Sequence, residues 1–263
     1  MLSLRPKFTT MLNYRVIGNN PDNDWVVMVH GAGGNMETWF RQVPDFARHF
    51  NLLLVDLIGH GESQEVSLLD TLSFEVIADQ VIEVVDHLKI KECHFLALSI
   101  GCVVVRVIAE RYPERVKKMV LAGAITSLNF KAKLIIWATN QFKRIIPFDL
   151  IRWLLVRYLI PQKDTNKFYM KGAEKVCFQT FLLWMTIVNK MGSLLVRLFS
   201  EKCDIPTLYM MGEKDELFLQ EARHIVKHNE ESSSLVVVPN AGHACNIENK
   251  AFFNRVSIEY LLA

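Results

Sequence analysis

The sequence predicts an α/β protein: a mostly parallel sheet with helices on both faces, interrupted once by an all-helical segment. Three observations carry this. Six short runs are apolar throughout, and each is closed by a turn or a helix signal. The stretches between them repeat apolar residues at helical spacing. From 126 to 202 that alternation stops, and no apolar run is bounded by turns.

The elements follow in chain order. Trp25-Val-Val-Met-Val29 stops at His30-Gly31, and Asn51-Leu-Leu-Leu-Val-Asp56 stops at a glycine-rich loop. Apolar runs without alternation suit strands buried on both faces. Residues 74–88 place Val76, Ile77, Val81, Val84, Val85 and Leu88 on one helical side, behind Ser73 as N-cap. Cys93-His-Phe-Leu-Ala-Leu98 is the next strand, and a helix over 103–112 follows with no room for a loop. Met119-Val-Leu-Ala-Gly123 is a fourth strand. Helices are then expected at 133–144, 147–159, 167–181 and 186–199. Thr207-Leu-Tyr-Met-Met211, a helix over 220–228, Ser234-Leu-Val-Val-Val238 and a C-terminal helix resume the alternation. Strands alternating with helices of this length imply parallel pairing.

Composition narrows the class. The 263 residues are 51% apolar and 22% charged, so a disordered chain is excluded. A net charge of +2 gives no argument for nucleic acid. That total hides an asymmetry. Residues 126–202 carry 13 Lys+Arg against 4 Asp+Glu, a net +9, and the remainder is −7. A solvated helical face is the plain explanation, and a weak contact of the basic segment with an anionic membrane surface is the sharper one. Five cysteines without a C-x-x-C fit neither a disulfide framework nor a zinc ribbon. No signal peptide is read in the N-terminal residues and no window reaches about 18 uncharged apolar residues, so the expected compartment is the cytoplasm.

The chemistry starts at Ser99 in Ala97-Leu98-Ser99-Ile100-Gly101. A serine where a strand turns directly into a helix has its hydroxyl exposed, beside backbone N–H groups that favour negative charge. The pattern is G-x-S-x-G with Ala97 in the first glycine's place. A serine needs a base, and His243 follows the last strand in Pro239-Asn240-Ala241-Gly242-His243. The base needs a carboxylate to hold its tautomer. Asp215 follows the strand after the helical segment, with Glu213 and Glu216 as neighbours that could be confused with it. The chain order Ser…Asp…His supplies the specificity. Oxyanion donors would be the Ile100 N–H and one from His30-Gly31-Ala32-Gly33-Gly34, with Ala32 first and Gly33 second. No G-x-G-x-x-G or G-x-x-x-x-G-K-[ST] supports a phosphate loop. His224 and His228 stand four apart, but Ile225 occupies the place of the glutamate an H-E-x-x-H zinc site requires, so no metal is expected.

These marks together resemble the α/β-hydrolase superfamily, in the branch with a helical cap inserted after the sixth strand. The resemblance rests on His30-Gly31, Asp56-Leu-Ile-Gly59-His60-Gly61-Glu62-Ser63, the Ser99 turn, Gly212-x-x-Asp215 and Gly242-His243. Cys102 departs from it, standing where a second small residue is common. The resemblance implies an eight-stranded sheet, no cofactor, a core of 1–125 and 203–263, and a cap of 126–202. Dehalogenase and epoxide-hydrolase relatives carry Asp at the turn, where this chain has Ser99.

The expected function is hydrolysis of a carboxylic ester, thioester or lactone of a hydrophobic small molecule by Ser99, His243 and Asp215. The alternative is a ligand-sensing receptor that keeps the triad with weak turnover. Phe148, Ile151, Leu155 and Leu159 share one helical stripe of the cap, and Phe178, Phe181, Leu182 and Met185 another. Gly33, Phe148, Leu155 and Phe181 are the candidate substrate contacts.

Overall fold

The apolar runs form one sheet in the order β1-β3-β2-β4-β5-β6-β7. The structure is a computed structural model and describes residues 11–63, 72–160, 162, 166–167, 169–170, 173–174 and 176–263. Its strands are β1 (Tyr14–Ile17), β2 (Trp25–Val29), β3 (Asn51–Val55), β4 (Cys93–Leu98), β5 (Val116–Ala122), β6 (Thr207–Gly212) and β7 (Ser233–Val238). The described residues therefore hold seven strands, not the eight implied by the resemblance. β1 is antiparallel to β3, and every other pair is parallel. β1 has no apolar run to betray it, because Arg15 and Val16 are exposed on this edge strand.

The helices are α1 (Val43–Phe46), α2 (Phe74–His87), α3 (Ile100–Arg111), α4 (Phe130–Phe142), α5 (Phe148–Leu159), α6 (Phe178–Ser200), α7 (Leu219–His228), α8 (Cys245–Glu248) and α9 (Lys250–Leu262). Side chains alternate across the sheet with period two. Val27, Val29, Phe95 and Ala97 join α2 and α3 in one core. Val26, Met28, Leu96 and Leu98 join Trp39, Phe46 and Phe253 in the other. Full burial of each large apolar side chain contributes about 1.5–3 kcal/mol, so both faces must be covered. Ser73 Oγ accepts from Val76 N–H at 3.3 Å, which starts α2 where its N-cap was expected.

Helices α4, α5 and α6 lie between β5 and β6, so they follow the fifth described strand and not a sixth. The helices expected at 167–181 and 186–199 are not separate in this way. One helix, α6, runs unbroken through 181–186 from Cys177 as N-cap, and part of 167–177 lies outside the described residues. By length and composition alone this 23-residue helix, mean hydropathy 1.3, could cross a membrane. One face of it is built into the core. Trp184, Met191, Leu195 and Leu198 are buried there. Trp184 Nε1–H donates to Ile58 O at 3.1 Å, and Arg106 Nη2 donates to Leu198 O at 2.5 Å.

Chain order reverses around β2, which pairs with β3 on one side and β4 on the other. Ligand crevices form at such a switch point, outside the carboxyl ends of the strands. Two loops meet there and are stitched by buried histidines. His30 Nε2 accepts from Leu57 N–H at 3.0 Å, and its Nδ1 lies 2.8 Å from Gly31 O. His60 Nε2 accepts from Gly33 N–H at 3.1 Å, and its Nδ1 lies 3.2 Å from Ile58 O. Each ring is thus one donor and one acceptor, the neutral form. Asp56 adds a third stitch by accepting from Met36 N–H at 2.8 Å.

Burial, with His30 close by, lowers the pKa of His60 to about 3, and burial lowers that of His30. An unfolded histidine titrates near 6.5. Above that pH both states are neutral and the shift has no effect. Below it the unfolded chain binds a proton that the folded chain refuses, so stability falls by about 1.4 kcal/mol per pH unit for each such ring. Urea unfolding from about pH 7 to about pH 4.5 should show this decline, and His60→Asn should make it shallower by about one proton. An unchanged slope would mean that His60 is not held neutral.

Candidate active site

Ser99 is the single residue between β4 and α3, and its backbone is bent to φ 56° and ψ −121°. Such a conformation costs an L residue about 1–3 kcal/mol and persists only when the surroundings impose it. They do so from both sides. Ser99 N–H donates to Ala122 O and Cys102 N–H to Ser99 O, both at 2.9 Å. A Cβ at Gly101 would stand 2.6 Å from His30 O and 2.7 Å from Val29 O, so only glycine lets α3 start this close to β2. Ala97 sits within β4, fully buried between Val29 and Leu121, where a methyl group fits. Cys102 is buried and its Sγ contacts Ala122 O at 3.4 Å. Burial raises this thiol and that of Cys245 well above the usual range, so both remain packing residues in the protonated form.

The turn brings Ser99 Oγ to 2.8 Å from His243 Nε2. His243 Nδ1 lies 2.8 Å from Asp215 Oδ2. The residues come from the ends of β4, β6 and β7, neighbours or near neighbours in one parallel sheet. Asp215 is buried, and its other oxygen accepts from Leu217 N–H at 3.3 Å and Phe218 N–H at 3.2 Å. An Oδ1 held by backbone leaves Oδ2 aimed at the ring, so Nδ1 carries the proton and Nε2 is free to accept. The Phe218 ring packs 5.3 Å from the imidazole. Gly123, at φ +51°, lets the backbone pass under it, since a Cβ there would meet His243 O at 2.6 Å. The rival carboxylates are elsewhere: Glu213 accepts from Asn240 N–H at 2.9 Å, and Glu216 pairs with Lys131 at 3.3 Å on the surface.

Ser99 and His243 open into a cavity of about 170 Å³, walled by Ala32 and Ile100 and by apolar side chains of α4, α5 and α6. An adjoining cavity of about 190 Å³ is lined by Gly33, Phe148, Leu155 and Phe181. All four candidate substrate contacts therefore meet in one pocket. Phe148 and Phe181 face each other at 4.9 Å, with Phe178 at 5.5 Å from Phe148. Ile151 departs from the expected stripe and lines a third, apolar groove of about 420 Å³ between α4 and α5. Gly33 N–H, the second candidate donor of that loop, is engaged by His60 Nε2 at 3.1 Å. His224 and His228 pack edge to face at 5.4 Å, and no group of three metal-binding side chains exists among the described residues.

Several site residues escaped the sequence reading. Trp184 and Val188 line the Phe148 pocket beside Met185 of the expected stripe, and Leu217 and Phe218 line the Ser99 cavity. His60 holds the Ala32 loop and packs edge-on against Trp184 at 5.0 Å. The signal was present for His60, which stands in the Gly59-His60-Gly61 loop. It was absent for Trp184, which looks like any core residue of an apolar helix.

Comparison with known proteins agrees with this fold. A family model described as alpha/beta hydrolase fold matches residues 24–155. The chain is 23% identical over 237 residues to an (E)-2-((N-methylformamido)methylene)succinate hydrolase of Acinetobacter baylyi, covering 84% of each. It is 21% identical to 3-oxoadipate enol-lactonase 2 of the same organism, covering 92% of this chain and 90% of that one. The solved enol-lactonase of Burkholderia xenovorans LB400 superposes with a TM-score of 0.83 at 18% identity, over 96% of both chains, a likeness of fold. The family match spans half of the 263 residues and runs from the approach to β2 through the Ser99 turn into α5, so the chain belongs to the α/β hydrolase fold family.

Proposed function

We propose that this protein is a serine hydrolase that cleaves a carboxylic ester, thioester or lactone of a hydrophobic small molecule through an acyl-enzyme. The observation that carries the reading is the unbroken line Asp215–His243–Ser99, with both contacts at 2.8 Å, ending in an apolar cavity. Relatives named as a succinate-derivative hydrolase and an enol-lactonase support hydrolysis at an acyl carbon. A relative named as a 2-hydroxy-6-oxo-6-(2'-aminophenyl)hexa-2,4-dienoic acid hydrolase keeps carbon–carbon cleavage as the competing chemistry.

In this reading Ser99 Oγ passes its proton to His243 Nε2 as it bonds to the substrate carbonyl carbon. The charge moves to the carbonyl oxygen, which the N–H groups of Ala32 and Ile100 receive. Donors fixed in place before the charge develops are worth about 3–4 kcal/mol each in such sites. Asp215 stabilises the imidazolium without taking its proton. His243 then protonates the leaving oxygen or sulfur, and the acyl group stays on Ser99. Water, deprotonated by His243, attacks that acyl carbon and releases the acid. The Phe148 pocket takes the apolar part of the substrate.

Three outcomes are expected. Ser99→Ala should abolish labelling by a fluorophosphonate and lower kcat by at least about 10³-fold on a responsive ester. Undiminished labelling of the variant would reject Ser99 as nucleophile, and a protein that binds esters without turnover would be a receptor instead. Asp215→Asn should lower kcat by on the order of 10⁴-fold with the fold intact. Equal damage from Glu213→Gln or Glu216→Gln, beside an active Asp215→Asn, would overturn that role. Along a series of p-nitrophenyl esters kcat/KM should rise beyond acetate, by up to about tenfold or more per methylene that enters the pocket. A flat or falling series would remove the acyl-pocket assignment.

A further inference from the structure

Large apolar side chains are exposed at fourteen positions among the described residues, and nine of these lie between 130 and 158, in and around α4 and α5. Phe130 is 80% exposed, Ile145 76%, Trp137 56% and Trp153 46%. On α4, Phe130, Leu134 and Trp137 recur at spacings of four and three and so share one stripe. Soluble monomers rarely leave so continuous an apolar patch without a use for it. The patch is also basic. Residues 130–158 hold six Lys and Arg against Asp149 alone. Lys133, Arg144 and Arg157 are exposed and have no ion-pair partner among the described residues. Exposed tryptophans and a tyrosine on the same helices as unpaired lysine and arginine match the boundary between headgroups and acyl chains of an anionic bilayer.

We propose that the outer face of α4 and α5 docks on an anionic lipid bilayer. Charge complementarity selects this occupant over a second copy of the chain, which would set two basic faces against each other. The geometry of the groove fits the same occupant. Leu134, Phe142, Leu154 and Tyr158 are exposed and also line the apolar groove of about 420 Å³ between the two helices. Tyr158, Ile135 and Leu155 belong to that groove and to the Ser99 cavity alike. A face resting on the bilayer therefore puts the mouth of the groove against the acyl chains. It gives a membrane-dissolved molecule an apolar route toward Ser99, without exposing its chain to water. On this arrangement the substrate of the proposed hydrolase is a lipid-borne ester, an extension that rests on the catalytic reading above. The docking face itself does not.

Co-sedimentation of the full chain with vesicles tests it. Vesicles of phosphatidylcholine and phosphatidylglycerol in equal parts should pellet the protein, and vesicles of phosphatidylcholine alone should pellet far less. Binding should weaken as salt rises, since surface charge is screened beyond about 10 Å at 0.1 M. Lys133→Glu with Arg144→Glu should lower partitioning by at least about tenfold, as each cation near an anionic surface contributes roughly fivefold. Trp137→Ser with Trp153→Ser should lower it comparably. All four positions are solvent-facing, so melting curves should match the parent chain and verify that it folds. Ser99→Ala should bind vesicles as the parent chain does, which separates failure of docking from failure of catalysis. No salt-sensitive binding, or binding that both double variants retain, would overturn the proposal. So would a dimer in solution that the tryptophan variants dissociate, because the face would then be a subunit interface.

Discussion

The site depends on one close approach: the first turn of α3 lies against the carboxyl end of β2 with room for a hydrogen atom and nothing more at Gly101. That contact leaves Ser99 no ordinary backbone conformation. The strain is held because the strands on either side, β2 and β5, are buried along their carboxyl-terminal halves and cannot yield there. A packed core is bistable at best and does not deform continuously, so it can hold a residue a few kcal/mol above its minimum. The same approach brings the Ala32 loop beside the Ile100 N–H, because that loop leaves the end of β2. Ser99 and the backbone N–H groups proposed as oxyanion donors are thus placed by one piece of backbone packing, not by separate side-chain contacts.

A second layer keeps that loop from drifting. His30 and His60 bridge it to the segment after β3 through ring nitrogens that must be neutral to accept a backbone N–H. Burial, the same force that packs the strands, suppresses their charge. Asp56 joins the same two segments by accepting from Met36 N–H. It lies one step farther out and also accepts from Glu62 and Asn13. The buried carboxylate of Asp215 lies behind the imidazole of His243, on the side away from Ser99.

The parts legible in the sequence were those where one physical demand dominates. Strands β2 to β6 are buried on both faces, so nearly every residue is apolar and the runs stand out. That Ser99, Asp215 and His243 would meet was legible because they sit at strand ends in a fixed order. β1 was not legible: four residues, half exposed, pairing through backbone alone. The junction near 181–186 was misread because Thr186 interrupts an apolar stripe. In the folded chain Thr186 Oγ1 donates to Leu182 O at 3.0 Å, four residues back, and the helix continues. Contacts such as Trp184 with Ile58, 126 residues apart, leave no trace in local periodicity.

The helical segment does two opposed things with the same kind of residue. Its inner side chains wall the cavity at Ser99 and His243, and its outer ones are left in water. Leu155 stands at the meeting of the two, since it lines the Ser99 cavity, the Phe148 pocket and the outer groove. A dry site strengthens every electrostatic contact within it, because the effective dielectric constant falls. Complete enclosure would also bar a bulky apolar substrate. An apolar partition one side chain thick resolves that conflict. Leucine excludes water when the groove is empty, yet it can change rotamer to admit a chain of its own polarity without leaving any polar group unpaired. A polar residue at 155 would bring its own hydration into the cavity, whereas a ring there would be too stiff to swing aside. In α5 the cavity side holds Leu155, Val156 and Leu159 with Phe148, Arg152 and Tyr158 at its edges, while Leu150, Trp153 and Leu154 are exposed.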